Sequence, residues 1–492
     1  MLFNSLHFLL FFPVVAAVYF SLPYRFRVYF LLAASYYFYM CWRPAYILLI
    51  IVSTLLDYGC SIAMGNKADR KDRRLFLLLS LVGNLGLLFS FKYFNFFSGS
   101  LETLFGQFNI YYHFPSLKVL LPVGISFYTF QTLSYTIEVY RGKQKAERNF
   151  PYFALYVAYF PQLVAGPIER ADRLLPQVRA NHDWDYDRAV DGLRQAIWGF
   201  FKKVVIADRL ALLVNHIYAT PGEYSSLPLL LATYFFAFQI YCDFSGYSDI
   251  AIGTAKIMGI DLMQNFNRPY HSKSIREFWQ RWHISLSTWF RDYLYIPLGG
   301  NRVARRSRWY FNIIIVFLIS GLWHGANWTF VIWGSLHGFY LLGGVVTEKL
   351  RDGFCRLIGL ARFPGVRKLI SVVITFHLVL VSWVFFRAQS ISDAFRILFE
   401  ICRFQGMGEF WSDLLTPGKA EHQFGLSLFE IVVAIISIVL MEMLHMFERR
   451  QELQPATVEK PRWRRYLVSY LLILVILIFG EFTANEFIYF QF

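Results

Sequence analysis

Charge and cysteine are both scarce, and each scarcity excludes something. Only 16% of the 492 residues are Asp, Glu, Lys or Arg, where soluble domains average about 25%. A water-facing surface is hard to build from so few charges, and 56% apolar residues are far too many for a disordered chain. The five cysteines (Cys41, Cys60, Cys242, Cys355 and Cys402) are scattered, with no CxxC pair. A disulfide framework and a zinc site therefore lack support, and no metal is expected. No GxSxG elbow, Walker A loop, HExxH pair or GxGxxG fingerprint occurs. Serine-hydrolase, NTPase, zincin and dinucleotide-binding readings have nothing to rest on.

What the chain has instead is long uncharged runs, rich in aromatics. Crossing about 30 Å of hydrocarbon takes about 20 largely apolar residues in a helix. Suitable runs stand at Ser5–Phe20, Val28–Trp42, Pro44–Leu56, Leu75–Phe91, Val119–Ile137, Phe150–Ile168, Val204–Tyr218 and Leu227–Cys242. Others follow at Leu369–Phe386, Phe424–Met441 and Tyr466–Gly480. Trp309–Thr347 carries no Asp, Glu, Lys or Arg and is too long for one crossing, so a break at Gly325-Ala326-Asn327 is expected. The reading is an all-α polytopic membrane protein with about 11–13 transmembrane or re-entrant helices. The first run lacks a basic flank and a cleavage site and is expected to be a retained helix.

The net charge of +15 invites a nucleic-acid reading, but its distribution argues against one. Lys and Arg gather in Met64–Arg74, Tyr140–Asn149, Arg268–Arg308, Glu348–Lys368 and Glu448–Arg465, between the apolar runs. That is the pattern of cytoplasmic loops beside anionic lipid. Lys92–Lys118 and Ile401–Phe424 are nearly charge-balanced and are placed outside, which also puts the tail 481–492 outside. With no internal repeat and no linker composition, residues 1–492 read as one membrane domain embedded in the bilayer.

Ionisable and polar residues at membrane depth are the functional candidates. His324 lies within GLWHGANWTFVIWGSLHG, flanked by Gly321 and Gly325, which allow close approach of a backbone or ligand. Trp323, Asn327, Trp328 and Trp333 add hydrogen-bond donors there, and an imidazole can serve as a general base. His337, in the same run, reads more simply as a packing residue. In SIREFWQRWHISLSTWFRDYLYIPLGGNR, a helix would align Arg276, Gln280, His283, Ser287 and Arg291 on one polar stripe. That stripe is either an interfacial face or the wall of an opening for an anionic cofactor, where Arg276, Arg281 and Arg291 would meet phosphates. In YCDFSGYSDIAIG, Asp243 and Asp249 follow an apolar run; pairing with buried cations or helix capping is the plainer reading, tunnel lining the functional one for Asp243.

Together these segments resemble the membrane-bound O-acyltransferase (MBOAT) family, in its bacterial branch. FWQRWHISLSTWFRDYLYIPLGGNR and GLWHGANWTFVIWGSLHG carry the resemblance most strongly. LPVGISFYTFQTLSY, FPQLVAGPIER, FKKVVIADRL, YCDFSGYSDIAIG, the N-terminal MLFNSLHFLLFFP and the C-terminal EFIYFQF extend it over nearly the whole chain, in family order. Within that branch the sequence is most similar to the membrane subunits that serve alginate, peptidoglycan and cellulose O-acetylation. The shorter D-alanyl transferase of teichoic acid modification is a cousin.

The resemblance implies a ring of helices around a tunnel, with His324 as the catalytic histidine and His283 as the second. It implies a cytoplasmic thioester donor, acetyl-CoA, with no bound cofactor, and release of the acetyl group on the outer side of the bacterial inner membrane. A periplasmic SGNH-type O-acetyltransferase would be the partner, with the exported polysaccharide acted on indirectly and no nucleic acid involved. In the cousin system the tyrosine of a terminal aromatic motif is a proposed acyl carrier; here that position is Tyr489. The expected chemistry is removal of a hydroxyl proton by His324, with Asn327 or a tryptophan N–H meeting the developing oxyanion. The rivals are a D-alanyl transferase, a transporter, which calls for repeat symmetry, and a scaffold in which both histidines are dispensable.

Overall fold

The structure is a computed structural model. It describes the chain except residues 68, 111, 114, 118–120, 165, 417, 453–461, 483–486 and 491–492, and except the side chains at 70, 407, 447–452, 462–465 and 490. Half of the basic stretch Glu448–Arg465, the start of the Val119–Ile137 run, and Gln491 and Phe492 of the tail lie outside the described residues.

Every regular element among the described residues is helical. Among the described residues six helices are long and apolar enough to cross a bilayer: Pro44–Gly65, Lys71–Gln107, Ser226–Ile257, Trp328–Val346, Pro364–Arg387 and Leu428–Met446. Leu6–Ser21 and Tyr466–Phe479 are shorter apolar helices. Large apolar side chains stay exposed along these helices, among them Leu6, Val82, Leu369, Ile436 and Leu477, as lipid contact requires. The chain is a multi-pass membrane protein.

Several apolar runs end differently from their sequence reading: the Pro44–Leu56 and Leu75–Phe91 runs continue to Gly65 and Gln107, and two others differ more. The Leu227–Cys242 run does not stop before the aspartates. Its helix continues to Ile257, 32 residues in all, so Asp243 and Asp249 lie in mid-helix and do not cap it. The Phe150–Ile168 run forms two short helices, Phe150–Ala158 and Phe160–Leu163, parted at Tyr159. Pro161, which has no N–H for the ladder, stands in the first turn of the second.

The chain forms two compact units, Met1–Ala196 with Ser248–Gln264 and Tyr489–Phe492, and Ile197–Tyr247 with Asn265–Ile488. The first unit shows how a buried acid is tolerated without a cation. Asp57, from Ile47–Gly65, accepts hydrogen bonds from Ser80 Oγ, Asn84 Nδ2 (2.9 Å) and Thr136 Oγ1 (3.3 Å), carried by the two helices packed on it.

The second unit holds the histidine-bearing segments. As expected, the uncharged run folds as two helices, Arg306–His324 and Trp328–Val346, with the break at Gly325-Ala326-Asn327. Asn327 caps the second helix, its Oδ1 accepting from Thr329 N at 3.0 Å. The hairpin closes backbone to backbone. A Cβ on Gly321 would stand 2.3 Å from the Phe330 carbonyl oxygen, and one on Gly334 2.3 Å from that of Phe317. This is the close approach that small residues permit between membrane helices.

Candidate active site

His324 ends the Arg306–His324 helix and is 2% exposed. Its imidazole is caged edge-to-face by Trp323 (ring centroids 4.9 Å), Trp333 (4.8 Å) and Phe386 (5.5 Å). Trp383 of Pro364–Arg387 stacks on Trp333 at 5.9 Å and packs on Trp282 at 5.1 Å. Trp323 also meets His283, at 6.0 Å, so one indole touches both histidines.

His283 does not sit on the polar stripe. Where the sequence predicts one helix, the structure has two, Ile275–Arg281 and Ile284–Phe290. Between them Trp282 is extended and His283 adopts the left-handed conformation, φ 43°. A non-glycine residue there costs about 1–2 kcal/mol, so its surroundings must hold it. Asn265 does so. Its backbone carbonyl accepts from Ile284 N (2.9 Å), and its side-chain oxygen accepts from Ser285 N (3.3 Å) and Ser285 Oγ (2.6 Å), capping the second helix in place of His283. The same oxygen is 3.3 Å from His283 Nδ1. An oxygen that already receives Ser285 N–H must be an acceptor, so Nδ1 carries the proton and the neutral ring keeps its lone pair on Nε2. Complete burial pushes His283 down to about 3, which keeps it neutral at cellular pH.

The rest of the stripe lines a cavity of about 580 Å³. Arg276, Gln280, Ser287 and Arg291 form its polar wall, and Trp279, Phe317 and Trp309 are among its apolar lining. Trp309 Nε1 donates to Tyr295 O–H (2.9 Å), and Asn312 Nδ2 donates to the carbonyls of Leu298 and Gly300 (3.2 and 3.0 Å), bracing the Ile296–Gly300 turn at this end of the unit. Neither histidine lines the cavity. Trp279 stands between, packed against Trp333 at 5.8 Å, which in turn meets His324.

The remaining candidates fall elsewhere. Arg281 pairs with Glu277 at 2.7 Å rather than facing the cavity. Asn327 is occupied as a cap, and its Nδ2 donates to Gln389 O at 3.4 Å. His337 is fully satisfied: Trp279 Nε1 donates to its Nδ1 (3.3 Å), and its Nε2 bonds Ser382 Oγ (2.9 Å). Asp243 is ion-paired with Lys203 (2.7 Å), which also holds Asp208 (2.8 Å), and its other oxygen accepts from Ile488 N (2.8 Å). It therefore anchors the C-terminal tail. Phe487 is buried against Phe244 (5.5 Å) and Tyr247 (4.8 Å), and Phe244 packs on His283 at 4.6 Å. Tyr489 follows in the short turn Ile488–Phe490.

Sequence reasoning missed Asn265, Trp279 and Trp383. Asn265 reads as one more loop residue before Asn267 and Pro269; Trp383 sits in an apolar run where only its need for an N–H partner sets it apart. Among the described residues no group of His, Cys, Asp and Glu is arranged to hold a metal.

Residues 147–388 match the membrane-bound O-acyltransferase family. The probable alginate O-acetylase of Pseudomonas aeruginosa is 41% identical over 439 residues, 89% of this chain and 80% of that one. The probable alginate O-acetylase of Pseudomonas putida is 38% identical over 506 residues and aligns along the full length of both. The peptidoglycan O-acetyltransferase of Helicobacter pylori is 36% identical over 394 residues, 75% of this chain and 72% of its own. Identity at this level from end to end shows that the chain belongs to the membrane-bound O-acyltransferase family and is itself an O-acyltransferase.

Proposed function

We propose that this O-acyltransferase passes an acetyl group from a cytoplasmic thioester, acetyl-CoA, toward O-acetylation of an exported or cell-wall polysaccharide, working in the bacterial inner membrane. The observation that carries the reading is the cavity backed by the histidine hairpin. Arg276 and Arg291 on its wall suit phosphate oxygens, and its volume and apolar remainder suit a pantetheine arm. The polysaccharide is supported by the relatives, which are named for alginate and peptidoglycan acetylation.

The transfer then runs through this chain's own groups. The acyl end passes Trp279 into the aromatic cage. His324 takes the proton of the attacking hydroxyl, and His283, neutral with its lone pair on Nε2, orients that hydroxyl by accepting a hydrogen bond. The hydroxyl is that of Tyr489. Pinning of Ile488 by Asp243 supports this, since it fixes the residue before the acceptor. The acetyl group is then handed to a periplasmic SGNH-type transferase, which modifies the glycan.

Intact-protein mass spectrometry after incubation with labelled acetyl-CoA tests the relay. A label on the wild-type chain, absent from both His324→Ala and Tyr489→Phe, is expected. Turnover lost in His324→Ala but unchanged in Tyr489→Phe would move the acceptor to an external hydroxyl. Absence of turnover in the wild type would overturn the reading.

A further inference from the structure

The cage around His324 and the ring stacked behind it hold two indole N–H groups with no hydrogen-bond partner among the described residues, those of Trp333 and Trp383. Both residues are fully buried, at 0% exposure. Other donors nearby are occupied. Trp279 Nε1 goes to His337 Nδ1, Trp309 Nε1 to Tyr295, and Asn327 spends its amide on Gln389. Leaving a buried donor unsatisfied costs about 1–3 kcal/mol, and native proteins rarely do so without a use for the group. A phenyl ring at either place would fill space in this cage without that cost. Trp333 meets the His324 ring directly at 4.8 Å and 80°, while Trp383 stacks behind it at 5.9 Å.

We propose that Trp333 is a catalytic residue of the acyl transfer, its indole N–H donating to the thioester carbonyl oxygen as negative charge develops there. The inference rests on the reading of His324 as general base. The acceptor oxygen forms a bond to the carbonyl carbon and its proton passes to His324. The carbonyl π pair moves onto oxygen, where the Trp333 N–H meets it. When that pair returns, the C–S bond breaks and the proton moves from the imidazolium to the thiolate, leaving an ester and a free thiol. No further reactant is needed. An indole suits the task because it donates and never accepts, so it cannot compete with His324 for the proton. Its ring is held by His324, Trp279, His337, Trp383 and Phe386, all with centroids 4.8–5.9 Å away, so the donor does not have to reorganise during the reaction.

The test replaces only the N–H. Trp333→Phe removes it, and 3-benzothienylalanine incorporated at position 333 keeps the bicyclic ring with sulfur in place of N–H, which covers the case in which the smaller ring fails to fold. Turnover is read as coenzyme A release, and binding is read with a non-reacting thioether analogue of acetyl-CoA. Both proteins should lose roughly 10²–10³-fold in kcat while binding the analogue as the wild type does, a split that mere loss of packing would not produce. A folded benzothienyl protein with kcat within about threefold of wild type overturns the proposal, because removal of an oxyanion donor has a far larger effect. Equal turnover by wild type and His324→Ala would instead overturn the general-base reading, and this inference with it.

Discussion

Asn265→Ala is the sharpest probe of how this site is held. The Asn265 side-chain oxygen receives Ser285 N–H, Ser285 O–H and His283 Nδ1–H, and both partner residues are fully buried. The serine hydroxyl can rotate to another acceptor, but the two N–H groups cannot. At about 1–3 kcal/mol each, they cost about 2–6 kcal/mol when orphaned. His283 recovers about 1–2 kcal/mol if it leaves the left-handed region, so a net loss of about 0–5 kcal/mol remains, centred on about 2–3 kcal/mol. That is enough to loosen the junction between the two short helices without unfolding the chain. Thermal aggregation in detergent should begin earlier, and coenzyme A release should fall roughly 10²-fold, as expected when a positioned group moves by about 1 Å. Asn265→Asp keeps the acceptor and should hold the junction, while its charge raises the proton affinity of His283. If Asn265→Ala matched wild type in both stability and turnover, the account of His283 as a residue clamped in an unfavourable conformation would be refuted.

Other expectations rest on independent contacts. Arg276→Gln and Arg291→Gln should each raise the acetyl-CoA KM about tenfold or more, since charge-assisted hydrogen bonds are worth about 1.5–3 kcal/mol; acetyl-pantetheine, which lacks the phosphates, should show no such loss in steady-state kinetics. Lys203→Met strands the buried Asp208 and Asp243 carboxylates and should cost about 3–5 kcal/mol, seen as easier proteolysis of the C-terminal tail; Asp243→Asn, which keeps an acceptor for Ile488 N–H, should be milder. Gly334→Ala forces a Cβ to within 2.3 Å of the Phe317 carbonyl oxygen, so the hairpin must splay, at about 1–3 kcal/mol or more, lowering the yield of folded protein on size-exclusion chromatography. His283 has its proton affinity lowered from 6.5 to about 3 on folding. The unfolded chain therefore binds more protons between those values, and stability should fall as pH drops through that window. His283→Gln should flatten this part of a stability-against-pH profile.

Much of this was legible in the sequence, for identifiable reasons. Hydrocarbon demands long uncharged helices, so low charge and run length were sufficient for the fold class. Trp309–Thr347 is too long to cross once and carries glycines where two backbones touch, so the hairpin and its break were readable. The motifs around His283 and His324 were strong enough to indicate the family before any geometry was known. Periodicity failed at His283, because a single residue with positive φ interrupts the helix and its clamp, Asn265, lies 18 positions upstream. It failed again at Asp243, where an apolar run gave no hint that its helix continues to Ile257 or that a lysine 40 positions earlier would neutralise the acid.

The division between the two kinds of information follows from the range of the forces involved. Sequence alone determined what depends on composition and local spacing: a helical membrane protein, its basic stretches and the histidine-bearing hairpin. Tertiary structure decided which of those groups are already occupied. Asn327 is used as a cap, Arg281 by Glu277, His337 by Trp279 and Ser382, and Asp243 by Lys203 and the tail. Arg276 and Arg291 line the cavity, Arg291 with its Nε also paired to Asp292 (2.8 Å), and among the described residues two indole N–H groups are left over, that of Trp333 beside His324 and that of Trp383 stacked behind it. Hydrogen bonds and ion pairs saturate at contact distance, and contact between residues far apart in the chain is settled only when the helices pack.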